Sequence, residues 1–419
     1  MMNKALAPVA ALLISVSILL AGQGLQGILL PVRASLEHFS TVAIGAMGAT
    51  YFFGFTVGCL KGGELVRRVG HVRVFLAMSA IASASPLIHG LIVQPAVWGV
   101  LRFLTGFCFA VLYLVIESWL NDRATNENRG VIFSTYAMIT LTVLAGGQMM
   151  TLMYDPSGFE LFIIASVLVS IGAVPVALST SPTPDQPQAV SVNLSRLFHI
   201  SPSGTVACLA TGLANGAFWA LAPVFATIGG DNVSLAAWFM TGAVIGGAIG
   251  QWPLGILSDK IGRRKVLIGV SLCGGIVGLL LFLAATALQF TSAIILAVLW
   301  GAFAFPLYTI AVAYANDYAD PSEYVTVSSG LLLMYGIGAT VGPFVASSLM
   351  AGDNTGRLFA FSAFVHFALI VFVTIRFLRD SSTAKHQIAF GDALSSAQTT
   401  SQVFEEEILQ HGELDDVSR

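Results

Sequence analysis

One short signature occurs twice in this chain. Residues 63–73 read GELVRRVGHVR and residues 255–265 read GILSDKIGRRK, so the central glycines Gly70 and Gly262 lie 192 residues apart in a chain of 419. Each copy is a basic loop between two long apolar runs. The repeat predicts an internally duplicated membrane protein with two pseudo-symmetric six-helix halves, an architecture typical of transporters.

The composition supports insertion into a bilayer. Hydrophobic residues make up 56% of the chain and charged residues only 10%, whereas about a quarter of a soluble domain is charged. A bilayer core needs about 20 apolar residues per helix. Twelve runs meet this length: 7–30, 41–64, 73–94, 96–121, 131–153, 159–180, 204–227, 234–257, 265–288, 291–316, 324–350 and 356–378. The sequence therefore predicts an all-α integral membrane protein with twelve transmembrane helices.

The longest polar stretch between runs marks a boundary between the halves. We predict an N-terminal half at 1–180, a cytoplasmic linker at 181–203, a C-terminal half at 204–379 and an acidic cytoplasmic tail at 380–419. If both termini lie in the cytoplasm, fifteen of the 19 Lys and Arg residues fall in cytoplasmic segments and two in outer loops. This asymmetry follows the positive-inside rule, so we expect both termini inside. Within the linker, Arg196 to Phe198 are expected to begin a short helix.

Polar residues repeat between the halves as well. Gln23 of the first run and Asn215 of the seventh are 192 residues apart, and Tyr113 of the fourth run and Tyr308 of the tenth are 195 apart. Corresponding helices of a two-half transporter enclose one central path, so these pairs are candidates for a substrate site. Further candidates in the same region are Gln26, Trp219 and Trp252. Taken singly, such amides more often join two helices than line a cavity.

Three charged residues within predicted spans are candidates for proton coupling or for an intramembrane charge pair: Lys61, Arg102 and Glu117. A charge at the bilayer centre costs about 2.5–3.5 kcal/mol, so each needs a partner or a function. Glu117 is either half of a structural ion pair, with Lys61 as a possible partner, or a proton carrier for coupled transport. Arg102 and Glu117 share one helix face. The steps of three and four residues between them pass through Gly106, Ala110 and Tyr113.

The second signature resembles the loop motif of the major facilitator superfamily, G-x-x-x-D-[RK]-x-G-[RK]-[RK]. The matching residues are Gly255, Asp259, Lys260, Gly262, Arg263 and Arg264. Arg102 with Gly106 resembles the superfamily's R-x-x-x-G signature in the fourth helix. Within the superfamily the chain is similar to the YcaD-type bacterial branch, through Leu25-Gln26-Gly27, Leu30-Pro31-Val32-Arg33, the RRVGH loop at 67–71 and the segment 116–121.

This resemblance covers about residues 5–379 and implies the major facilitator fold in a bacterial inner membrane, with transport by alternating access. In the superfamily the loop acid is thought to brace the outward-facing state across the interface between the halves. That role passes only to Asp259, because Arg67 takes its place in the first copy and His71 takes the place of Arg263. Gly70 and the matched residues of the second copy are therefore expected to form a gating loop.

No motif of soluble catalysis is present: the sequence has no Walker loop, metal-ligand cluster, nucleophile elbow or dinucleotide fingerprint. We expect neither an enzyme nor a resident cofactor or metal, and no nucleic-acid partner. The expected partners are a small-molecule substrate, protons and membrane lipids, with the chain as a monomer. Our hypothesis is proton-coupled efflux of an uncharged or weakly charged amphiphile; the alternatives are a nutrient uptake carrier or facilitator, and a non-transporting sensor.

Overall fold

Helices account for the architecture. The computed structural model describes residues 9–125, 128–178, 194–227, 232–286, 289–320, 323–351 and 354–379. In these ranges, twelve helices are long and apolar enough to cross a bilayer, and no strand is formed. The predicted twelve-helix membrane fold is confirmed. The acidic tail at 380–419 and most of the linker lie outside the described residues.

Each predicted run coincides with one helix. The first half comprises α1 (Ala10–Leu36), α2 (Thr41–Val69), α3 (His71–Leu91), α4 (Pro95–Arg123), α5 (Arg129–Met149, extended by a 3-10 turn at Met150–Leu152) and α6 (Glu160–Ala177). The second half comprises α7 (Pro202–Ala226), α8 (Val233–Ile261), α9 (Arg263–Ala284), α10 (Phe290–Asn316), α11 (Tyr324–Met350) and α12 (Arg357–Arg379). The short helix expected in the linker is also present, at Leu194–Ile200.

Prolines interrupt two of the twelve helices. α6 divides into Glu160–Gly172 and Val174–Ala177, and α10 divides into Phe290–Ala304 and Pro306–Asn316. Pro175 and Pro306 each stand at the start of the second piece. A proline has no N–H to donate and clashes with the preceding turn, so the helix breaks just before it. By contrast, α1 runs past Pro31 to Leu36, beyond the predicted end of the first run.

Glycines at repeat-matched positions bring the same helices together in both halves. A Cβ added at Gly106 of α4 would overlap the carbonyl oxygen of Tyr51 on α2, and one added at Gly301 of α10 would overlap that of Ala243 on α8. The spacing is 195 residues for the glycines and 192 for their partners. Small residues allow helix backbones to approach closely in membranes. The α2–α4 and α8–α10 contacts are therefore copies of one packing arrangement.

A second matched contact joins α1 to α5 and α7 to α11. Gly147 of α5 packs on the backbone of Ala21, and Gly342 of α11 packs on the backbone of Leu213. These pairs are again separated by 195 and 192 residues. The repeat seen in the sequence thus extends to helix packing. Gly338, four residues before Gly342 on α11, makes the same kind of close contact with the backbone of α7.

The two halves meet at one end of the bundle. On α2, an added Cβ at Gly45 would overlap Ser347 of α11, and one at Gly48 would overlap Ala220 of α7. Between α5 and α8, the Thr241 hydroxyl donates a hydrogen bond of 3.2 Å to Gln148 Oε1. The largest buried apolar cluster includes residues of both halves at this end, whereas a separate cluster fills the signature-loop end of the first half alone. The halves therefore close on each other at the end opposite the signature loops.

Candidate functional site

A cavity of about 740 Å³ lies between the two halves. Its wall is built by α1, α2, α4 and α5 of the first half and by α7, α8, α10 and α11 of the second. It extends along α2 from Gly48, at the closed end, to the exposed Arg67 beside the first signature loop. A cavity between the halves, closed at one end, suits an alternating-access transporter.

Gln23 is the centre of a hydrogen-bond network on the cavity wall. Its Nε2 donates 2.9 Å to the Tyr51 hydroxyl of α2, and its Oε1 accepts 2.7 Å from the Tyr113 hydroxyl of α4. All three side chains line the cavity. Because both ends of the amide are engaged, Gln23 is held in one orientation and joins α1 to α2 and α4. The structure thus brings Gln23 and Tyr113 together.

Arg102 lines the cavity near its closed end. Its guanidinium carbon lies 4.0 Å from the centre of the Tyr51 ring, a cation–π contact. The close approach of α2 at Gly106, one turn further along α4, places this ring beneath the guanidinium. Arg102, Tyr113 and Glu117 of the shared α4 face line the cavity, whereas Ala110 between them is fully buried.

Glu117 lies on the same wall, nearer the signature loops. It is only 1% exposed, and the Tyr136 hydroxyl of α5 donates 3.2 Å to its Oε1. Lys61, considered as its partner, is an exposed residue of α2 and does not line the cavity. The structure does not bring Lys61 to Glu117, because Lys61 extends from a helix face turned away from the wall that Cys59 and Gly63 form.

The remaining predicted substrate residues lie in three places: on the cavity wall, behind it, and outside the site. Gln26 and Trp219 line the cavity; Gln26 is 2% exposed, and Trp219 stacks on Phe305 with ring centres 5.4 Å apart. The Gln26 Oε1 atom is buried without a hydrogen-bond partner. An unpartnered buried acceptor is costly, so this atom is suited to accept a hydrogen bond from a ligand.

Asn215 and Tyr308 lie behind the cavity wall. Asn215 is 4% exposed, and the Tyr308 ring packs 4.9 Å from that of Tyr335, which does line the cavity. The Asn215 Oδ1 atom and the Tyr308 hydroxyl are both buried without a hydrogen-bond partner. The repeat-matched pair Gln23–Tyr113 is hydrogen-bonded, so the two halves differ at equivalent positions.

Trp252 is not part of the site. It is 72% exposed on α8 and points away from the cavity, which its neighbour Gln251 lines instead. Adjacent residues of an α-helix point about 100° apart, so only one of two neighbours faces a given wall. Sequence reasoning missed Tyr51 and Tyr136, which bind the Gln23 amide and the Glu117 carboxylate. Their signal was a hydroxyl within an apolar run, since a buried tyrosine usually finds a hydrogen-bond partner.

Both signature loops have the same backbone. Gly70 and Gly262 are the two glycines with positive φ in the described ranges, at 94° and 96°. Each ends one helix and begins the next. Only glycine adopts such angles at little cost. This explains why the central glycine is present in both copies.

The side chains of the two loops differ. In the second copy, the buried Arg263 forms ion pairs with Asp259, at 3.3 Å, and with Asp317 of α10, at 2.9 Å. Its neighbour Arg264 donates 2.9 Å to the Tyr314 hydroxyl, Lys260 is exposed, and Gly255 is buried on α8. In the first copy, His71 takes the Arg263 position and its Nε2 lies 3.1 Å from the Ser118 hydroxyl. The first loop therefore uses a neutral contact where the second uses charges.

Comparison with known proteins identifies the family. The model of the Major Facilitator Superfamily matches residues 12–202 and 204–410. The chain belongs to the major facilitator superfamily. It is 28% identical over 381 residues to the MFS-type transporter YcaD of Escherichia fergusonii, covering 90% of this chain and 98% of YcaD. The expected similarity to the YcaD-type branch is confirmed.

Solved structures show the same fold at low sequence identity. The nucleoside transporter NupG superposes with a TM-score of 0.74 at 13% identity, over 88% of this chain and 99% of NupG. A bacterial homologue of the human lysosomal transporter Spinster, in an inward-facing and unoccupied conformation, gives a TM-score of 0.65 at 14% identity, over 96% of this chain and 99% of that protein. The chain is thus a multi-pass membrane transporter of this superfamily.

Proposed function

We propose that this transporter exports a small organic molecule across the bacterial inner membrane in exchange for protons. The observation that carries the proposal is the cavity of about 740 Å³ between the halves, closed at one end and reaching the signature loops at the other. With the predicted orientation, in which those loops lie in the cytoplasm, the structure is the inward-facing state. Cargo would enter from the cytoplasm and leave after the halves close at the loops and open at the other end.

The cavity wall suits an amphiphilic cargo. Gln23, Tyr113 and the free Gln26 acceptor offer hydrogen bonds from the first half. The stacked Trp219 and Phe305 rings offer an apolar face from the second. A cargo held between these surfaces would contact both halves, so its binding would sense their relative position.

We assign proton coupling to Glu117. Ionisable residues inside membrane spans commonly mark proton relays or ion pathways. Among the described residues, the titratable neighbours of Glu117 on the cavity wall are Cys59 of α2, Tyr113 of α4 and Tyr136 of α5. Protonation would change the Glu117 carboxylate from a pure acceptor into a group that also donates, and so alter its bond to Tyr136. Tyr113, one turn away on α4, carries the hydrogen bond to Gln23, which connects the acid to the proposed cargo site.

The Glu117→Gln variant tests this role. The first step is a thermal-shift screen that finds a transported compound, since a ligand that binds the folded state raises its melting temperature. In proteoliposomes, Glu117→Gln should lose accumulation driven by a pH gradient but retain substrate exchange, because exchange needs alternating access without net proton movement. The matched control is Glu37→Gln, which removes an acid that is paired with Arg33 outside the cavity and should leave coupling intact.

A wild-type pH profile in Glu117→Gln would exclude coupling through this residue. A loss of thermal stability with unchanged coupling would show a structural role instead. The direction of substrate transport is measured by counterflow in vesicles of known orientation. Accumulation driven by an inward proton gradient in right-side-out vesicles would replace export with uptake, the alternative considered from the sequence.

A further inference from the structure

Arg102 differs from Arg33 and Arg263 in its lack of an anionic or polar partner. The buried Arg263 pairs with Asp317 at 2.9 Å, and Arg33 pairs with Glu37 at 2.7 Å and donates to backbone carbonyls of the loop before α6. Within the described part of the chain, Arg102 forms no ion pair and its N–H groups donate no hydrogen bond; its contact is the Tyr51 ring. Five donors and one positive charge therefore remain available on the cavity wall.

An unpaired guanidinium in a membrane span is expensive to retain. Insertion of a charge into the bilayer centre is costly. The Tyr51 ring offsets only part of this cost, because a cation–π contact is weaker than the insertion penalty. Tyr51 itself is fixed, because its hydroxyl accepts the Gln23 hydrogen bond and its backbone packs on Gly106. The ring therefore holds the guanidinium in place without neutralising it.

The acid on the same helix is too far away to serve as the partner. Glu117 lies 15 residues beyond Arg102 on α4, or about 22 Å at the α-helical rise. The other described charges on the wall, Glu64 and Arg67, lie on α2 within two turns of Gly70 in the first signature loop. The cavity is thus positive at its closed end and carries its acids towards its open end.

We propose that Arg102 is the anion-binding subsite of the cavity and that the cargo is a monocarboxylate with an apolar body. The planar guanidinium fork matches a carboxylate with two parallel hydrogen bonds. One unpaired cation suits one negative charge, whereas a dianionic phosphate would leave a charge without a partner in a largely apolar cavity. The apolar body would extend towards the stacked Trp219 and Phe305 rings. The expected uncharged or weakly charged amphiphile is thereby narrowed to an amphiphilic anion with one negative charge.

This inference names the substrate class of the transport site proposed above and rests on that site. Equilibrium binding to purified protein in detergent tests it without any proton gradient. The probes are 2-naphthoate, 2-naphthamide and 2-naphthylmethylammonium, within a wider panel of aryl and alkyl carboxylates, each with its amide and its amine. Melting temperature and calorimetric affinity are measured for each set.

The wild-type protein should bind the carboxylates more tightly than their amides, and the amines least. A charge-assisted hydrogen bond contributes about 1.5–3 kcal/mol, so Arg102→Gln should weaken carboxylate binding about 10- to 150-fold and leave amide binding unchanged. Arg102→Lys keeps the charge but not the planar fork, so its affinity for carboxylates should lie between those of the wild-type protein and Arg102→Gln. The control Arg357→Gln removes an exposed arginine at the start of α12, outside the cavity, and should change nothing.

If Arg102→Gln does not fold, two other results test the proposal. These are the preference of the wild-type protein for carboxylates over amides and the weaker carboxylate binding expected of Arg102→Lys. The proposal is overturned if the amides or amines bind as tightly as the carboxylates, if none of the carboxylates binds, or if Arg102→Gln weakens amides and carboxylates equally. Proton-driven transport of a neutral cargo would refute the anion subsite and leave the proposed function standing. Carboxylate binding without proton-driven transport would support the anion subsite and refute the proposed function.

Discussion

Gly106 shows how one residue without a side chain sets up the cavity wall. Its missing Cβ lets the α2 backbone at Tyr51 pack directly against α4. That contact places the Tyr51 ring under Arg102 and its hydroxyl within reach of Gln23. The R-x-x-x-G spacing is therefore a geometric requirement: the glycine positions the ring that holds the arginine.

At the residue scale, we expect Gly106→Ala to destabilise the protein and disturb the site. The added methyl group would overlap the Tyr51 carbonyl oxygen, and overpacking of this kind typically costs about 1–3 kcal/mol. Gly99→Ala is the matched control on the same helix, because an added Cβ there meets no atom within 4 Å. It should be neutral or stabilising by about 0.5–1 kcal/mol. Thermal unfolding in detergent measures both, and equal melting temperatures would contradict this packing account.

At the element scale, the two signature loops share a backbone but differ in how they bind the next helices. His71 approaches Ser118 of α4, whereas Arg263 pairs with Asp317 of α10. Asp317 is repeat-matched to Asp122, 195 residues earlier. The second loop therefore depends on a buried charge pair for its attachment, and the first does not.

Removing Asp317 should weaken the second half specifically. The Arg263 and Asp317 side chains are 2% and 7% exposed, and loss of one partner of a buried ion pair costs about 3–5 kcal/mol. Asp317→Ala should fall at the lower end of that range, since Asp259 still contacts Arg263. As a control, Glu64→Ala breaks an exposed pair with Arg68 and should cost about 0.5 kcal/mol or less. A melting temperature of Asp317→Ala equal to that of the control would show that the pair contributes little.

The sequence predicted the helices and the internal repeat better than the faces that the helices present. Apolar run length located all twelve spans, and the 192- and 195-residue offsets recur in the glycine contacts of both halves. Run length carries no information on rotation about the helix axis, which is why Trp252 was assigned to the cavity while it is 72% exposed. Tyr51 and Tyr136 were missed for the same reason. Asn215 does not repeat the contacts of Gln23, because its side chain is one methylene shorter and the residue that matches Tyr51 in the second half is Ala243.

At the scale of the whole molecule, the pseudo-symmetry of the halves is broken where they meet. α2 packs on α11 through Gly45 and Gly336, which would overlap Ser347 and Thr56 if they carried side chains. The repeat-related contact, between α8 and α5, includes the hydrogen bond from Thr241 to Gln148. Both contacts lie at the end opposite the signature loops. The halves therefore close the cavity there through two different packing arrangements.

The most direct test of alternating access measures the distance between the halves at both ends at once. Spin labels at the exposed, repeat-matched residues Arg68 and Lys260 report the signature-loop end, and labels at Gln94 and Gln289 report the other end. Distances between the labels would be measured by pulsed electron–electron double resonance at pH 5 and pH 8, in the wild-type background and in the Asp259→Asn variant. We expect two populations whose distances change reciprocally, longer at one end when shorter at the other, with proportions altered by Asp259→Asn. Distances that stay fixed at both ends, or that lengthen and shorten together, would contradict alternating access through this cavity.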